Sequence, residues 1–202
     1  RLTLASDMAF AGDIAITGRN LTLSGLPLGS LAVAASGREG AWTLSRLQLD
    51  DLAGLRLDGK GQFARLVEPV AGRVDVAISG ARADGLVPVT RIVSGAEAAD
   101  IIQRLLPVAA PVKLNAYAEW ADGGQRTLRA EGQLGQISGS LAVLRSAQGA
   151  PESADISLAA TDGARVLDAI GLGGLKPGQG AGRLDISVRG AETGGSTLEG
   201  RL

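Results

Sequence analysis

Histidine and cysteine are both missing from this chain of 202 residues. Without cysteine there is neither a disulfide nor a thiolate metal site, and the composition suits a reducing or an oxidising compartment equally. Without histidine the commonest general base, the commonest zinc ligand and the middle member of a Ser-His-Asp arrangement are gone. Aromatic side chains are scarce: Phe10, Trp42, Phe63, Tyr117 and Trp120 are the only ones, and Met8 is the single methionine. The interior therefore has to be built from Leu, Val, Ile and Ala. Net charge is close to nil, −1 from 20 basic and 21 acidic residues scattered along the chain. With no basic block to neutralise phosphates and few rings to stack on bases, nucleic acid is not an expected partner. No run of about 18 apolar residues reads as a membrane-spanning helix. There is no signal-peptide pattern either, and Arg1 opens the chain inside a strand-like alternation. The expectation is a fragment of a larger protein whose targeting or anchoring segment lies elsewhere.

Aliphatic residues and glycine fill the space left by these absences. Apolar residues make up 45% of the chain, too many for disorder at so low a net charge. Thirty glycines against seven prolines suggest tight turns and thin strands rather than a Pro-rich linker. The length suits one sizeable domain or a run of repeats, and residues 1–202 are read as a single repetitive unit.

The dominant pattern is alternation of apolar and polar residues with period two, the mark of a strand with one dry and one wet face. It runs through Leu2 and Leu4, Ile14 and Ile16, Leu21 and Leu23, Leu31 and Val33, Trp42 and Leu44, Leu55 and Leu57, and Val74, Val76 and Ile78. The second half repeats it at Leu114, Ala116 and Ala118, at Leu141 and Val143, at Ile156 and Leu158, and at Leu184, Ile186 and Val188. Breaks fall at Gly18-Arg19-Asn20, Asp58-Gly59, Ser79-Gly80, Asp122-Gly123-Gly124 and Thr193-Gly194-Gly195. These residue types tolerate positive φ and suit short hairpin loops. A spacing of about 8–12 residues between breaks predicts a meandering antiparallel β fold. The expected fold class is mainly β: a repetitive antiparallel curved sheet forming a groove, or a sandwich, with two short helices.

The first helix is predicted from Ser94-Gly95-Ala96-Glu97, a capping box, followed by Ala98, Ile101, Ile102 and Leu105 on one helical face. Pro107 ends it. The second runs from Asp162 through Val166, Leu167 and Ile170 to Gly171. Pro88–Val93 gives only a weak helical turn. Gly72–Ala81 closely matches Gly182–Ala191, 110 residues later. A looser module of helix, long strand, turn and strand covers 95–134 and again 162–202, with offsets of 65 to 68 residues. Degenerate modules of this kind suit an extendable architecture better than one closed active site.

Motifs that carry chemistry are few. Gly54-Leu55-Arg56-Leu57-Asp58-Gly59-Lys60-Gly61 has the spacing of a phosphate loop up to its lysine. Gly61 stands where Ser or Thr would hold magnesium, and a strand follows where a helix is needed, so the segment reads as a hairpin. Gly178-Gln179-Gly180-Ala181-Gly182 lacks the third glycine of a dinucleotide loop and enters a strand. Asp50-Asp51 and the Glu119/Asp122 pair offer carboxylates, yet both sit beside turns, where acids are simply solvated. Asn20-Leu21-Thr22 is a glycosylation sequon by pattern only, and Trp42 and Trp120 read as sheet-packing anchors. No catalytic residue, metal ligand or cofactor-binding residue is assigned. An enzymatic reading would need Asp and Glu pairs converging in a cleft, as in glycoside hydrolysis.

Leu2–Leu57 reads as strand, glycine turn, strand, centred on Leu21-Thr22-Leu23-Ser24-Gly25-Leu26-Pro27-Leu28-Gly29-Ser30-Leu31. Further on come Thr161-Asp162-Gly163-Ala164-Arg165-Val166-Leu167-Asp168-Ala169-Ile170-Gly171-Leu172, a Gly-rich loop, Gly182-Arg183-Leu184-Asp185-Ile186-Ser187-Val188-Arg189-Gly190 and Leu198-Glu199-Gly200-Arg201-Leu202. Together these segments resemble the periplasmic part of AsmA-family proteins, associated with outer-membrane biogenesis in Gram-negative bacteria. The resemblance implies an amino-terminal anchor in the inner membrane and a periplasmic location. It also implies a long curved sheet, similar to the grooves of bridge-like lipid transfer proteins, with an apolar concave face for acyl chains. The family has no catalytic residues to carry over.

The residues alone permit such a role. At about 0.8 kcal/mol per buried methylene, some 14 methylenes of an acyl chain offer on the order of 11 kcal/mol before ordering costs. The residues expected to face lipid are Leu44, Leu55, Leu57, Val74, Val76, Ile78, Leu114, Leu141, Val143, Ile156, Leu184, Ile186 and Val188. The expected partners are phospholipid or another amphiphile, and envelope proteins. The helices are expected to plug or cap one end of the sheet. The rival expectation is a non-catalytic scaffold in which dry faces close on each other.

Overall fold

A computed structural model describes residues 11–23, 25–66, 70–94, 96–147, 151–164, 167, 180–190 and 196–201. Eleven strands form one antiparallel sheet: β1 (Gly12–Leu23), β2 (Leu26–Arg38), β3 (Ala41–Leu52), β4 (Leu55–Arg65), β5 (Ala71–Gly80), β6 (Val112–Trp120), β7 (Arg126–Leu134), β8 (Ile137–Arg145), β9 (Pro151–Ala160), β10 (Gly182–Gly190) and β11 (Ser196–Arg201). Between β5 and β6 lie α1 (Leu86–Ser94), α2 (Ala96–Leu105) and a 3₁₀ turn at Leu106–Val108. Strand order follows chain order from β1 to β11, so among the described residues every strand pairs only with its sequence neighbours. The sheet is curved and does not close on itself. Among the described residues there is no second sheet, so the sandwich alternative is set aside.

The hairpins explain where the strands stop. Glu39-Gly40 and Ala53-Gly54 are two-residue loops with both residues at positive φ (51° and 83°; 50° and 87°). That geometry matches the right-handed twist of the strands they join. The Asp51 carboxylate accepts a hydrogen bond from the Gly54 amide (3.1 Å), which ties down the second of these turns.

Two of the expected breaks are not turns. Gly18-Arg19-Asn20 lies inside β1, where Asn20 takes up one left-handed residue (φ 52°) and pairing with β2 continues on both sides. Asp58-Gly59 lies inside β4. A Cβ on Gly59 would stand 3.1 Å from the Asp75 carbonyl oxygen and 3.3 Å from methyls of Leu47 and Val76, so a larger residue has to push these neighbours back by a few tenths of an ångström and the glycine serves close packing. Ser79-Gly80 ends β5 and Asp122-Gly123-Gly124 joins β6 to β7, both as expected, while Thr193-Gly194-Gly195 lies outside the described residues.

The weak turn at Pro88–Val93 is in fact the body of a helix, α1. Pro88 falls in its first turn, where no intrahelical amide bond is lost. The predicted helix after Ser94 is α2, although the Gly95 step of its capping box is outside the described residues. Of the second predicted helix, Gly163, Ala164 and Leu167 are helical, and the remainder is outside the described residues.

The densest core sits where the helices meet the sheet. Leu55 of β4, Val112 of β6 and Ile137 of β8 cluster with Leu86 of α1, Leu105 of α2 and the flanking Ala83 and Ala109. Leu55 and Val112 are each only 1% exposed. A smaller cluster of Leu28, Leu49 and Leu52 adjoins it, and Val89 of α1 packs against both. β4 and β8 are four strand spacings apart, about 19 Å on a flat sheet. The helices bridge that span with helix, loop and strand residues in one contact network, and so cap one end of the strands.

Candidate ligand-binding face

Strand register decides which side chains share a face. Gly59, Val76, Ala116, Ala130, Leu141, Ile156 and Ile186 are successive partners from β4 to β10. One step toward the helices runs the row Leu57, Ile78, Leu114, Gly132, Gly139, Leu158 and Leu184. One step away runs Gly61, Val74, Ala118, Leu128, Val143, Ala154 and Val188, with Leu44 paired to Gly61 from β3. Because side chains alternate between faces, these rows form one continuous aliphatic surface. Every residue expected to face lipid lies on it except Leu55, which stands two positions before Leu57 on β4, one row nearer the helices on the same face.

They are not equally available. Leu55 is in the helix-packed core, Leu57, Ile78 and Leu114 pack against that core, and Leu184 is buried. Leu55 is thus corrected from a ligand-facing position to a core one, because the helices occupy the surface it was expected to offer. Leu44, Val74, Val76, Leu141, Val143, Ile156, Ile186 and Val188 remain half-buried. The uncovered part is the middle of the strands and the end away from the helices.

An open trough of about 1790 Å³ runs across the middle of the strands. This exceeds the roughly 300–1,000 Å³ of a small-molecule pocket. It is lined by Ser45 of β3 and three consecutive residues from each of β4 to β10. Seven strand spacings give it a length of about 34 Å along the sheet. Two of each strand's three residues, among them Asp58, Lys60, Asp75, Arg129, Glu131 and Asp185, point by alternation to the side opposite the aliphatic rows, so the trough lies on the polar face of the sheet. The middle residue of each trio, such as Val76 or Ile186, turns its side chain to the other side. The trough is therefore separate from the aliphatic rows, which face the other side of the sheet.

The polar face is organised as short-range pairs. Arg56 Nε reaches Asp58 (2.7 Å) and Asp50 (3.5 Å), Arg183 reaches Asp185 (2.8 Å), and Arg189 reaches Asp155 (2.8 Å). The Asp58 carboxyl is held below the ordinary carboxylate range by the hydrogen bond from Arg56. Asp155 is lowered first by a hydrogen bond donated by the Ser187 hydroxyl and then by Arg189. Tyr117 is raised because its hydroxyl donates to Glu119 (2.5 Å), with partial burial and the glutamate charge adding to the effect.

The carboxylates weighed for chemistry are taken up by other partners, Asp50 by Gln48 and Arg56 as well as by Ser30. Asp50 accepts from Ser30 (2.9 Å), Asp51 fastens a turn, and Asp122 pairs with Arg65 (3.4 Å). Among the described residues no group of three or more Asp or Glu side chains is placed to hold a metal. The segment with phosphate-loop spacing is the Ala53-Gly54 hairpin followed by β4. Gly182 of the other glycine loop opens β10. No described helix is long and apolar enough to cross a membrane.

No protein-family model, no curated protein and no solved structure matches this chain.

Proposed function

We propose that this chain is a non-catalytic segment of a cell-envelope protein that binds or conveys phospholipid or another amphiphile along its sheet, in the periplasm. One observation carries the reading: in the two rows away from the helices, every position from β5 to β10 is Val, Leu, Ile or Ala, and all of them stay half-buried. A contiguous apolar surface of this extent is unusual on a protein that works alone in water and points to an apolar ligand. Leu, Val, Ile and Ala make no directional bonds, so a hydrocarbon chain is held without being fixed in place. The resemblance to AsmA-family segments agrees with this chemistry and supplies the envelope setting.

Native mass spectrometry followed by lipid extraction tests it. Co-purifying lipid that is lost in Val76→Asp and Ile186→Asp, with the strand circular dichroism retained, is the expected result. A clean apo mass that stays clean after incubation with lipid would sink the proposal in favour of a scaffold.

A further inference from the structure

On β6, β7 and β8 the apolar face carries no charge over four successive rows, and then ends abruptly. The fifth row, farthest from the helices, holds Trp120, Arg126 and Arg145 as direct register partners. Trp42 and Phe63 continue that row on β3 and β4, and the Phe63 and Trp120 rings lie 6.4 Å apart. Three of the chain's five aromatic residues thus share one rim with two arginines.

The arginine pair is the unexplained feature. Arg126 and Arg145 stand directly opposite each other, and like charges in that relation destabilise a sheet. Both are exposed, and neither is in a salt bridge among the described residues. The nearest acid by register, Glu152 of β9, instead accepts a hydrogen bond from Gln125 (3.5 Å). Two arginines opposite each other in register suit one oxyanion with several acceptor atoms, which neutralises both. The next positions on the same face, Leu128 and Val143, are aliphatic and lead onto Ala130 and Leu141.

We infer that the rim selects amphiphiles with an anionic head: Arg126 and Arg145 hold a phosphate or carboxylate head while the hydrocarbon tail lies over Leu128, Val143 and the rows beyond. This rests on the amphiphile-binding reading above and adds the head-group class and the orientation of the ligand.

The test is titration calorimetry on the full 202-residue chain with dodecyl phosphate, dodecyl maltoside and inorganic phosphate, all below micellar concentration. The double variant R126Q/R145Q is expected to bind dodecyl phosphate at least about ten-fold more weakly, the loss of charge-assisted bonds. Its affinity for dodecyl maltoside stays unchanged, and R126K/R145K keeps part of the preference. Equal dodecyl phosphate affinity in the parent and R126Q/R145Q overturns the inference. So does inorganic phosphate binding as tightly as dodecyl phosphate, which marks a simple anion site. If dodecyl maltoside binds and the head-group preference is missing, only this inference falls. If the parent chain binds neither amphiphile, the amphiphile-binding reading falls with it.

Discussion

The two ends of the strands carry the same alternation and meet opposite fates. At one end Leu55, Val112 and Ile137 lie beneath α1 and α2. At the other, Trp42, Phe63 and Trp120 share a row that no described helix covers and remain half-buried. The dry face is a property of each strand's own sequence. What covers it is decided by a segment inserted between strands, here the 86–108 excursion from β5 to β6. One surface thus serves as core at one end and as a candidate binding face at the other.

The comparison breaks most sharply at Leu55. Leu55→Ala removes a side chain that is 1% exposed between β4 and the helices, and should cost about 2–5 kcal/mol of stability in denaturant unfolding. Val76→Ala, half-exposed on the same face, should cost well under half as much. Equal losses would mean the uncovered rows are core as well.

Next in size is Gly59→Val. The added methyls meet the Asp75 carbonyl and the Leu47 and Val76 side chains, so a loss of about 1–3 kcal/mol is expected in the same assay. A smaller effect belongs to the far end. Trp120→Leu removes the ring contact with Phe63 and should cost about 0.5–1.5 kcal/mol while preserving the fold, read from the thermal midpoint.

The smallest effect is that of pH. Asp58 and Asp155 have lowered pKa values in the folded state, so their contribution is present above the unfolded value near 3.9. It is lost as pH falls through the folded value. With no histidine in the chain, melts should be nearly flat from about pH 5 to 8 and fall only below about 4. A midpoint that moves between pH 6 and 7 would contradict this.

Much of the fold was legible in the residues. Period-two alternation located most of the strands and placed Val76, Leu141, Ile156 and Ile186 on one side correctly, because side-chain direction follows position within a strand. Boundaries were less legible. Glu39-Gly40 and Ala53-Gly54 turn the chain without the usual Asn or Asp, whereas Gly59 mimics a turn and serves packing. α1 was understated because Pro88 reads as a helix breaker unless its place in the first turn is known. The availability of Leu55 could not be read at all, since periodicity reports a dry face and not the partner that dries it. The candidate site was therefore legible as a surface but not in extent, and the arginine pair became visible only once register put Arg126 beside Arg145.

The strand order carries a kinetic consequence. Because β1 to β11 pair strictly in sequence, no strand has to wait for a distant segment before it finds a partner. Loop closure is cheap at every hairpin, and the larger helical excursion between β5 and β6 is the one costlier step among the described connections up to β8. A chain emerging gradually from a narrow exit can zip up hairpin by hairpin, with the last strand formed always serving as template for the next.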